Sequence, residues 1–312
     1  MTNDWRLIPL AEAMREFLES HAAEGTQTHR SYTAALQQLY VHIARDVSSP
    51  TLEHFTRGRV DKLIEIYFSE GKAPATVAHR IDVFKGASKW FALRYPGYLD
   101  SLKSVRRPTI VNATKRAFRQ SDVEALRSVV KAHAVAFLAA RNALIFELAM
   151  RAGLRVFEIC ELRMSNIEGD MLVNVRRKAR KFFTLPMHSR IQEALKNYLP
   201  LREAMLCQQL GRVPTEEEAA RLPLLLRYAA KPCDVVPLEG KTIRRMFSAA
   251  GKKCGLKRCH PHMAKHTFTN DVLRSADVPT ASRAAGHSNI STTMQYLGRD
   301  LADLERAIND LD

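Results

Sequence analysis

The chain has 312 residues, 46% of them hydrophobic, which predicts a globular protein of one large or two modest domains. Its formal net charge of +15 indicates a polyanionic partner, most commonly nucleic acid. The charged residues Asp4 and Arg6 argue against a signal peptide, and the longest uncharged apolar run, 134–140, is too short to span a membrane. Five irregularly spaced cysteines argue against a disulfide framework and favour a cytoplasmic protein.

Residues 1–103 are predicted to form a small all-helical domain. Two helical patterns occupy residues 7–46, and Ser48-Ser49-Pro50 then interrupts the chain. A third helix ends at Gly71, and Pro74 falls in the first turn of a fourth, where proline is tolerated.

Residues 104–120 carry many basic side chains and no acidic ones, so we expect a cationic linker that follows a DNA backbone. Ser121 and Glu124 match a capping box, which predicts that a second domain begins at residue 121. The apolar segment 134–150 is predicted to be its buried central helix, with Gly153 as the cap.

The rest of the second domain is predicted to be helical apart from a small sheet. Strands at 171–176 and 182–186 flank a basic tip at 177–181, which indicates a β-hairpin. Residues 201–238 favour no single structure, apart from a short helix expected to open at Thr215, and the chain beyond them is predicted to be helical again. The expected fold class is therefore mainly α with a small β-sheet.

Four short segments in the second half of the chain carry side chains suited to cleaving a phosphodiester. The phenol of Tyr296 is almost wholly protonated at neutral pH and is a poor nucleophile alone. Imidazoles and cations around it would accept its proton and stabilise the charge that develops on the phosphate oxygens. The candidate catalytic residues are Arg155, Lys178, His262, Lys265, His287 and Tyr296.

This set of residues, in this order, resembles the tyrosine recombinase (phage integrase) family. Residues 152–162 are similar to the family signature Thr-Gly-Leu-Arg-hydrophobic-Ser-Glu-Leu, and the resemblance is strong over 121–298. It implies an all-helical, SAM-like core-binding domain at 1–103, a basic linker at 104–120 and a mixed α/β catalytic domain with a C-terminal helix at 121–312. It also implies a two-domain clamp around double-stranded DNA and a 3′-phosphotyrosine intermediate, with no cofactor or metal.

The resemblance assigns a role to each candidate. Arg155 binds the phosphate through a bidentate fork, and Lys178 donates a proton to the departing 5′ oxygen. His262 accepts or relays the proton of Tyr296. His287 donates a hydrogen bond to a non-bridging oxygen.

Two positions depart from the family pattern. The hairpin tip has Arg177-Lys178-Ala179 where the family usually has Gly-Lys-Gly, and Lys181 stays open as an alternative to Lys178. The His-x-x-Arg box contains Lys265, which supplies charge without a planar fork. Three alternatives follow: the site cleaves DNA with one arginine and one lysine, it cleaves slowly, or the protein binds DNA without cleaving it. The first is favoured because the other elements of the family pattern are present. Glu158 is expected to support local structure.

Three other interpretations compete with this one. A zinc site is disfavoured because its spacing does not match a zinc finger; its ligands would be Cys254, Cys259, His260, His262 and His266. A type IB topoisomerase and a DNA-binding accessory protein are alternatives to a site-specific recombinase.

The segment 301–311 has a narrow apolar stripe that docks either on its own domain or on a neighbouring protomer. The second option favours self-association as a tetramer on two DNA sites, and the expected location is cytoplasmic, with the nucleoid.

Overall fold

The computed structural model describes residues 4–110, 117–177, 181–229, 231–286 and 291–294. These residues divide into two compact units, one within residues 1–113 and the other within 114–312. Each unit has its own hydrophobic core. None of the helices in the described part of the chain combines the length and the apolar character that crossing a bilayer requires.

Over residues 4–110 the first unit contains four α-helices, as its sequence predicts. They are α1 (Leu10–His21), α2 (Gln27–Ala44), α3 (Arg57–Ser69) and α4 (Pro74–Arg94). Gly71 adopts a positive φ of 70° between α3 and α4, and Pro74 begins α4, where its missing N–H costs nothing. The core is mostly aliphatic and also holds several aromatic side chains, among them the fully buried Phe17, Phe84 and Phe91.

The segment that follows α4 folds back onto this bundle. The side chains of Leu102 and Val105 are buried in the first core. The Lys85 ammonium donates hydrogen bonds to the carbonyls of Lys103 (3.1 Å) and Val105 (3.0 Å). The first residues of the predicted linker therefore pack on the first unit.

In its described residues the second unit contains nine α-helices and a three-stranded sheet, which confirms the mainly α fold class. The helices are α5 (Gln120–Lys131), α6 (Ala136–Arg151), α7 (Val156–Glu161), α8 (Ser189–Leu210), α9 (Glu216–Arg221), α10 (Gly240–Lys253), α11 (Pro261–Ser275), α12 (Val278–Ala285) and α13 (Ser291–Met294). The strands are β1 (Ile167–Glu168), β2 (Met171–Arg176) and β3 (Phe182–Pro186), antiparallel in the order β1-β2-β3.

The central helix α6 matches the segment predicted to be buried. Residues 143–150 are all buried, including Glu147, whose carboxylate accepts a hydrogen bond from Arg127 Nε at 2.6 Å. Because α6 packs against α5, α8 and α11, it places the residues that follow it, beginning with Gly153, inside the unit.

The start of the second unit differs from the expected capping box. Helix α5 begins at Gln120, and the backbone N–H of Arg119 donates to the Asp122 carboxylate at 3.2 Å. The prediction that Ser121 caps the helix is wrong, because Ser121 already lies within the first turn. The carboxylate that closes the first turn is that of Asp122, three residues after Arg119, and it accepts from the Arg119 N–H rather than from that of Ser121.

Residues 201–238, for which the sequence indicated only the short helix at Thr215, form the end of α8, then α9, which has Thr215 as its N-cap, and then a buried strap at 222–227. Leu224, Leu225 and Leu226 are almost fully buried. The strap is fixed by polar side chains of α8: Arg202 Nε donates to the carbonyl of Leu224 (3.1 Å), and the Tyr198 hydroxyl accepts from the Leu226 N–H (3.1 Å). Consecutive buried leucines show neither helical nor strand periodicity, so the pattern could not be recognised.

Candidate active site

Arg155 stands at the N-cap of α7, where Glu158 orients it. Its backbone N–H donates to Glu158 Oε2 (2.7 Å), and its Nη1 donates to Oε1 (3.0 Å). The Glu158 side chain is fully buried, whereas that of Arg155 is 30% exposed. The carboxylate therefore holds the guanidinium in one orientation and leaves part of its fork open to an anion. Glu158 has the supporting position that the sequence indicated.

The turn that leads from α6 to Arg155 depends on Gly153. This residue has a φ of 59°, and a Cβ placed on it would lie 2.2 Å from Cδ1 of Phe268 on α11. Only glycine adopts this conformation at little cost and also allows α11 to pack so closely. The close packing brings Lys265, one turn before Phe268, against the same turn.

We expect Gly153→Ala to destabilise the second unit by about 2–5 kcal/mol, the sum of left-handed backbone strain and overpacking against Phe268. Gly255→Ala is the matched control, since Gly255 also has a positive φ (70°) but a Cβ placed on it would have no neighbour within 4 Å. The control should cost only about 1–2 kcal/mol. Denaturant unfolding midpoints measure both, and equal losses would contradict the packing argument.

Lys265 lies on α11 and is only 2% exposed. Its Nζ donates to the carbonyls of Gly153 (2.7 Å) and Ala285 (2.5 Å). The pKa of this ammonium is lowered to about 7, chiefly by burial and then by the positive charges of Arg155 and Arg177, while Glu158 opposes the shift. The sequence predicted Lys265 as a cation that contacts phosphate. The structure places it beneath the surface, bonded to two backbone carbonyls, and the phosphate contact stays a prediction.

His262 occupies the first turn of α11 and is exposed. Its ring lies against the buried His266 ring, with centroids 4.4 Å apart and the planes at 69°. Because the two residues are four apart on one helix, His266 supports the ring of His262 from the next turn. His262 is thus presented at the surface, while Lys265 on the same helix points inward.

The structure adds Arg177, which the sequence indicated only as part of a basic tip. Its Nη1 and Nη2 donate to the carbonyls of Arg283 and Ala284, each at 3.1 Å. The guanidinium carbon lies 3.3 Å from the centroid of the Phe183 ring, and burial lowers the pKa of Arg177 to about 10. No sequence pattern identifies this residue, because its partners are main-chain carbonyls about a hundred residues away.

Three candidate residues fall outside the described part of the chain. They are Lys178, His287 and Tyr296, and the apolar stripe at 301–311 also lies outside it. The alternative lysine, Lys181, is exposed, and its carbonyl accepts from the Arg177 N–H at 2.6 Å, which closes the hairpin. The roles of Lys178 and Lys181 stay predictions.

The cysteines of the zinc alternative lie after α10. Cys254 and Cys259 are half-buried, and burial raises the pKa of the Cys259 thiol to about 11. Within the residues that the structure describes, no three His, Cys, Asp or Glu side chains are grouped so as to hold a metal ion.

Comparison with known proteins places these features in a family. The phage integrase family profile matches residues 116–301, more than half of the chain. Tyrosine recombinase XerC of Neisseria meningitidis serogroup B is 25% identical over 305 residues, which cover 96% of this chain and 95% of the relative. Tyrosine recombinase XerC of Corynebacterium glutamicum is 26% identical over 298 residues, covering 93% and 87%.

Solved structures show the same fold. The XerH site-specific recombinase bound to palindromic difH substrate, in a post-cleavage complex, superposes with a TM-score of 0.73 at 15% identity, covering 96% of this chain and 94% of that one. A lambda integrase dimer bound to a COC′ core site gives a TM-score of 0.67 at 17% identity, covering 94% and 79%. With the family profile matched over most of the second unit, this chain belongs to the phage integrase family, the tyrosine recombinases.

Proposed function

We propose that this protein is a site-specific DNA recombinase that cuts and rejoins DNA through Tyr296. The observation that carries the proposal is the pair of hydrogen bonds from Lys265. One bond goes to the carbonyl of Gly153, two residues before Arg155, and the other to that of Ala285, two residues before His287. One ammonium thus connects three of the four segments that supply the candidate catalytic residues.

In the proposed reaction, the Tyr296 oxygen forms a bond to phosphorus and the bond from phosphorus to the 5′ oxygen breaks. The phenol proton passes to His262, and Lys178 donates a proton to the departing 5′ oxygen. Arg155 stabilises the charge on the non-bridging oxygens, because Glu158 has already oriented its guanidinium. The product is a 3′-phosphotyrosine with a free 5′ hydroxyl, and the reverse reaction rejoins a strand.

A nicked suicide substrate tests this proposal. Cleavage next to the nick releases a short fragment that carries the free 5′ hydroxyl. Because this fragment diffuses away and cannot reverse the reaction, the protein stays covalently attached to the DNA and migrates as an adduct in a denaturing gel. An adduct supports the proposed chemistry, and binding without an adduct contradicts it. Exchange of strands between two sites would then separate a recombinase from a type IB topoisomerase.

The burial of Lys265 favours a second candidate, a DNA-binding accessory protein of the same fold. Its ammonium donates two hydrogen bonds to main-chain carbonyls, so this position does not offer the exposed fork that an arginine gives a phosphate. Such a protein would bind DNA and yield no adduct with the suicide substrate, which is the outcome that distinguishes it.

We expect DNA binding to weaken steeply with salt and cleavage to persist in EDTA. Each phosphate neutralised by a lysine or arginine should contribute about 0.9 to the slope of log affinity against log salt concentration. In the proposed reaction one phosphoester replaces another and the protein's own cations stabilise the charge. Fluorescence anisotropy with labelled DNA between low and moderate salt measures the slope; a slope near zero, or cleavage lost in EDTA, contradicts the prediction.

For the assembly, we propose a tetramer on two DNA sites, in which the apolar stripe of 301–311 packs on a neighbouring protomer. Docking on its own domain is the alternative. A protein truncated before residue 300 separates the two, since trans docking predicts normal binding to one half-site and loss of cooperative binding to paired half-sites. Acting on chromosomal or mobile DNA, the protein would work in the cytoplasm, with the nucleoid.

A further inference from the structure

Three cations from separate elements bind the carboxyl end of α12. The carbonyls of residues 283–286 each accept a hydrogen bond from one of them. Arg177 donates to the first two at 3.1 Å each, Lys265 to the third at 2.5 Å, and Arg155 to the fourth at 3.4 Å. We refer to Arg155, Arg177 and Lys265 as the α12-end cluster.

Capping alone does not account for this cluster. The last carbonyls of a helix lack partners within the helix and carry partial negative charge, so one cation there is favourable. Gly286 already caps α12 with a left-handed conformation (φ 63°), and its N–H donates to the carbonyl of Arg283 at 3.0 Å. Placing Arg177 and Lys265 side by side costs solvation and like-charge repulsion, and burial lowers the pKa of both.

Arg177 lies directly on the turn that ends α12. A Cβ on Gly286 would be 1.9 Å from Arg177 Nη1 and 2.1 Å from its guanidinium carbon. The guanidinium also packs against the Phe183 ring of β3. The hairpin thus fixes Arg177, Arg177 fixes the turn, and the next residue in the chain is His287.

We propose that Arg177 is a positioning residue for DNA cleavage: it sets where the chain leaves α12 toward His287, relative to Arg155. This inference rests on the proposed recombinase function. Arg177 acts through the main chain of residues 283–286 and is not assigned a contact with DNA.

Single-turnover cleavage of the suicide substrate tests the role. Arg177→Ala should slow cleavage by about 100-fold, the cost of displacing a reacting group by about 1 Å. Arg176→Ala is the matched control, because Arg176 is the preceding residue and the last of β2, carries the same charge and is paired with Glu161 at 3.5 Å instead. The two variants should bind DNA equally well. Arg177→Lys, which keeps the charge and can donate to a carbonyl, should recover part of the rate.

A second measurement needs no activity. Gly286→Ala should lower the thermal midpoint strongly in the wild type, because the new Cβ displaces the guanidinium. In Arg177→Ala the clash is absent, and Gly286→Ala should cost only the backbone strain. Gly211→Ala gives the size of that strain, since Gly211 also caps a helix with a positive φ (69°) and a Cβ placed on it would have no neighbour within 4 Å.

The outcomes separate the positioning role from the recombinase chemistry. Cleavage by Arg177→Ala at the rate of Arg176→Ala overturns the positioning role. Additive thermal effects of Arg177→Ala and Gly286→Ala overturn the contact on which the role depends. If Arg177→Ala does not fold, Arg177→Lys is compared with Arg176→Lys, and equal rates overturn the role. A wild type that binds DNA without forming an adduct contradicts the recombinase chemistry, while the thermal cycle still decides whether Arg177 fixes the turn.

Discussion

Tyr296→Phe is expected to abolish covalent attachment to suicide DNA and to leave DNA binding nearly unchanged. The substitution removes one oxygen atom, and that atom forms the bond to phosphorus in the proposed reaction. The cations that bind the DNA backbone are retained, so the affinity and its salt dependence should match those of the wild type. Denaturing gels measure the adduct, and anisotropy measures the binding.

Tyr228→Phe serves as the control for loss of a tyrosine hydroxyl. Tyr228 belongs to the same unit and is 44% exposed, with its ring 6.1 Å from that of Phe137. This variant should form adducts at the wild-type rate. Adducts that persist with Tyr296→Phe would show that another side chain is the nucleophile, and the assignment of Tyr296 would then be wrong.

Local patterns were sufficient to predict most of the helices. Pro74, Gly71 and Gly153 mark the ends of helices because their backbone preferences act within a few residues. The segment at 134–150, apolar apart from Arg141, Asn142 and Glu147, identified the central helix α6, since a helix that is apolar nearly all round has to be buried. Glu158 could be assigned a supporting role because its partner, Arg155, is only three residues away.

Contacts between distant segments could not be predicted in the same way. Lys265 and Arg177 bind main-chain carbonyls, and every residue has a carbonyl, so no side-chain pattern marks the acceptor. The burial of Lys265 depends on the close approach of α11 to Gly153, which is a property of the packed unit. The strap at 222–227 was missed because its consecutive leucines lack a period, although Arg202 holds it firmly.

Lys265 is the residue at which the sequence and the structure suggest different contacts, and its substitutions should have large effects. Lys265→Ala is expected to lose about 2–4 kcal/mol of transition-state stabilisation in single-turnover cleavage, the order of one lost oxyanion donor. Lys265→Met fills more of the vacated volume without a hydrogen-bond donor and should cleave as poorly as Lys265→Ala. The comparison separates the effect of the lost hydrogen bonds on the rate from the effect of a cavity. Lys265→Arg should retain or raise activity, because a guanidinium can donate to both carbonyls. Equal rates for wild type and Lys265→Ala would mean that another residue stabilises the transition state in its place, with Arg258 the first candidate.

The pH profile of the same variants tests the charge of Lys265. Burial lowers its pKa to about 7, so the ammonium loses its proton as the pH rises through that value. The charge-assisted hydrogen bonds to Gly153 and Ala285 then become weaker neutral ones, whereas the guanidinium in Lys265→Arg keeps its proton. Release of the phenol proton affects both proteins alike and cancels in the ratio of their rates. The ratio of the wild-type cleavage rate to that of Lys265→Arg should therefore be constant at low pH and fall above about pH 7. A ratio that stays flat to about pH 9 would show that the lysine remains charged in the folded protein, and that the neighbouring helix end compensates the burial more fully than the contacts indicate.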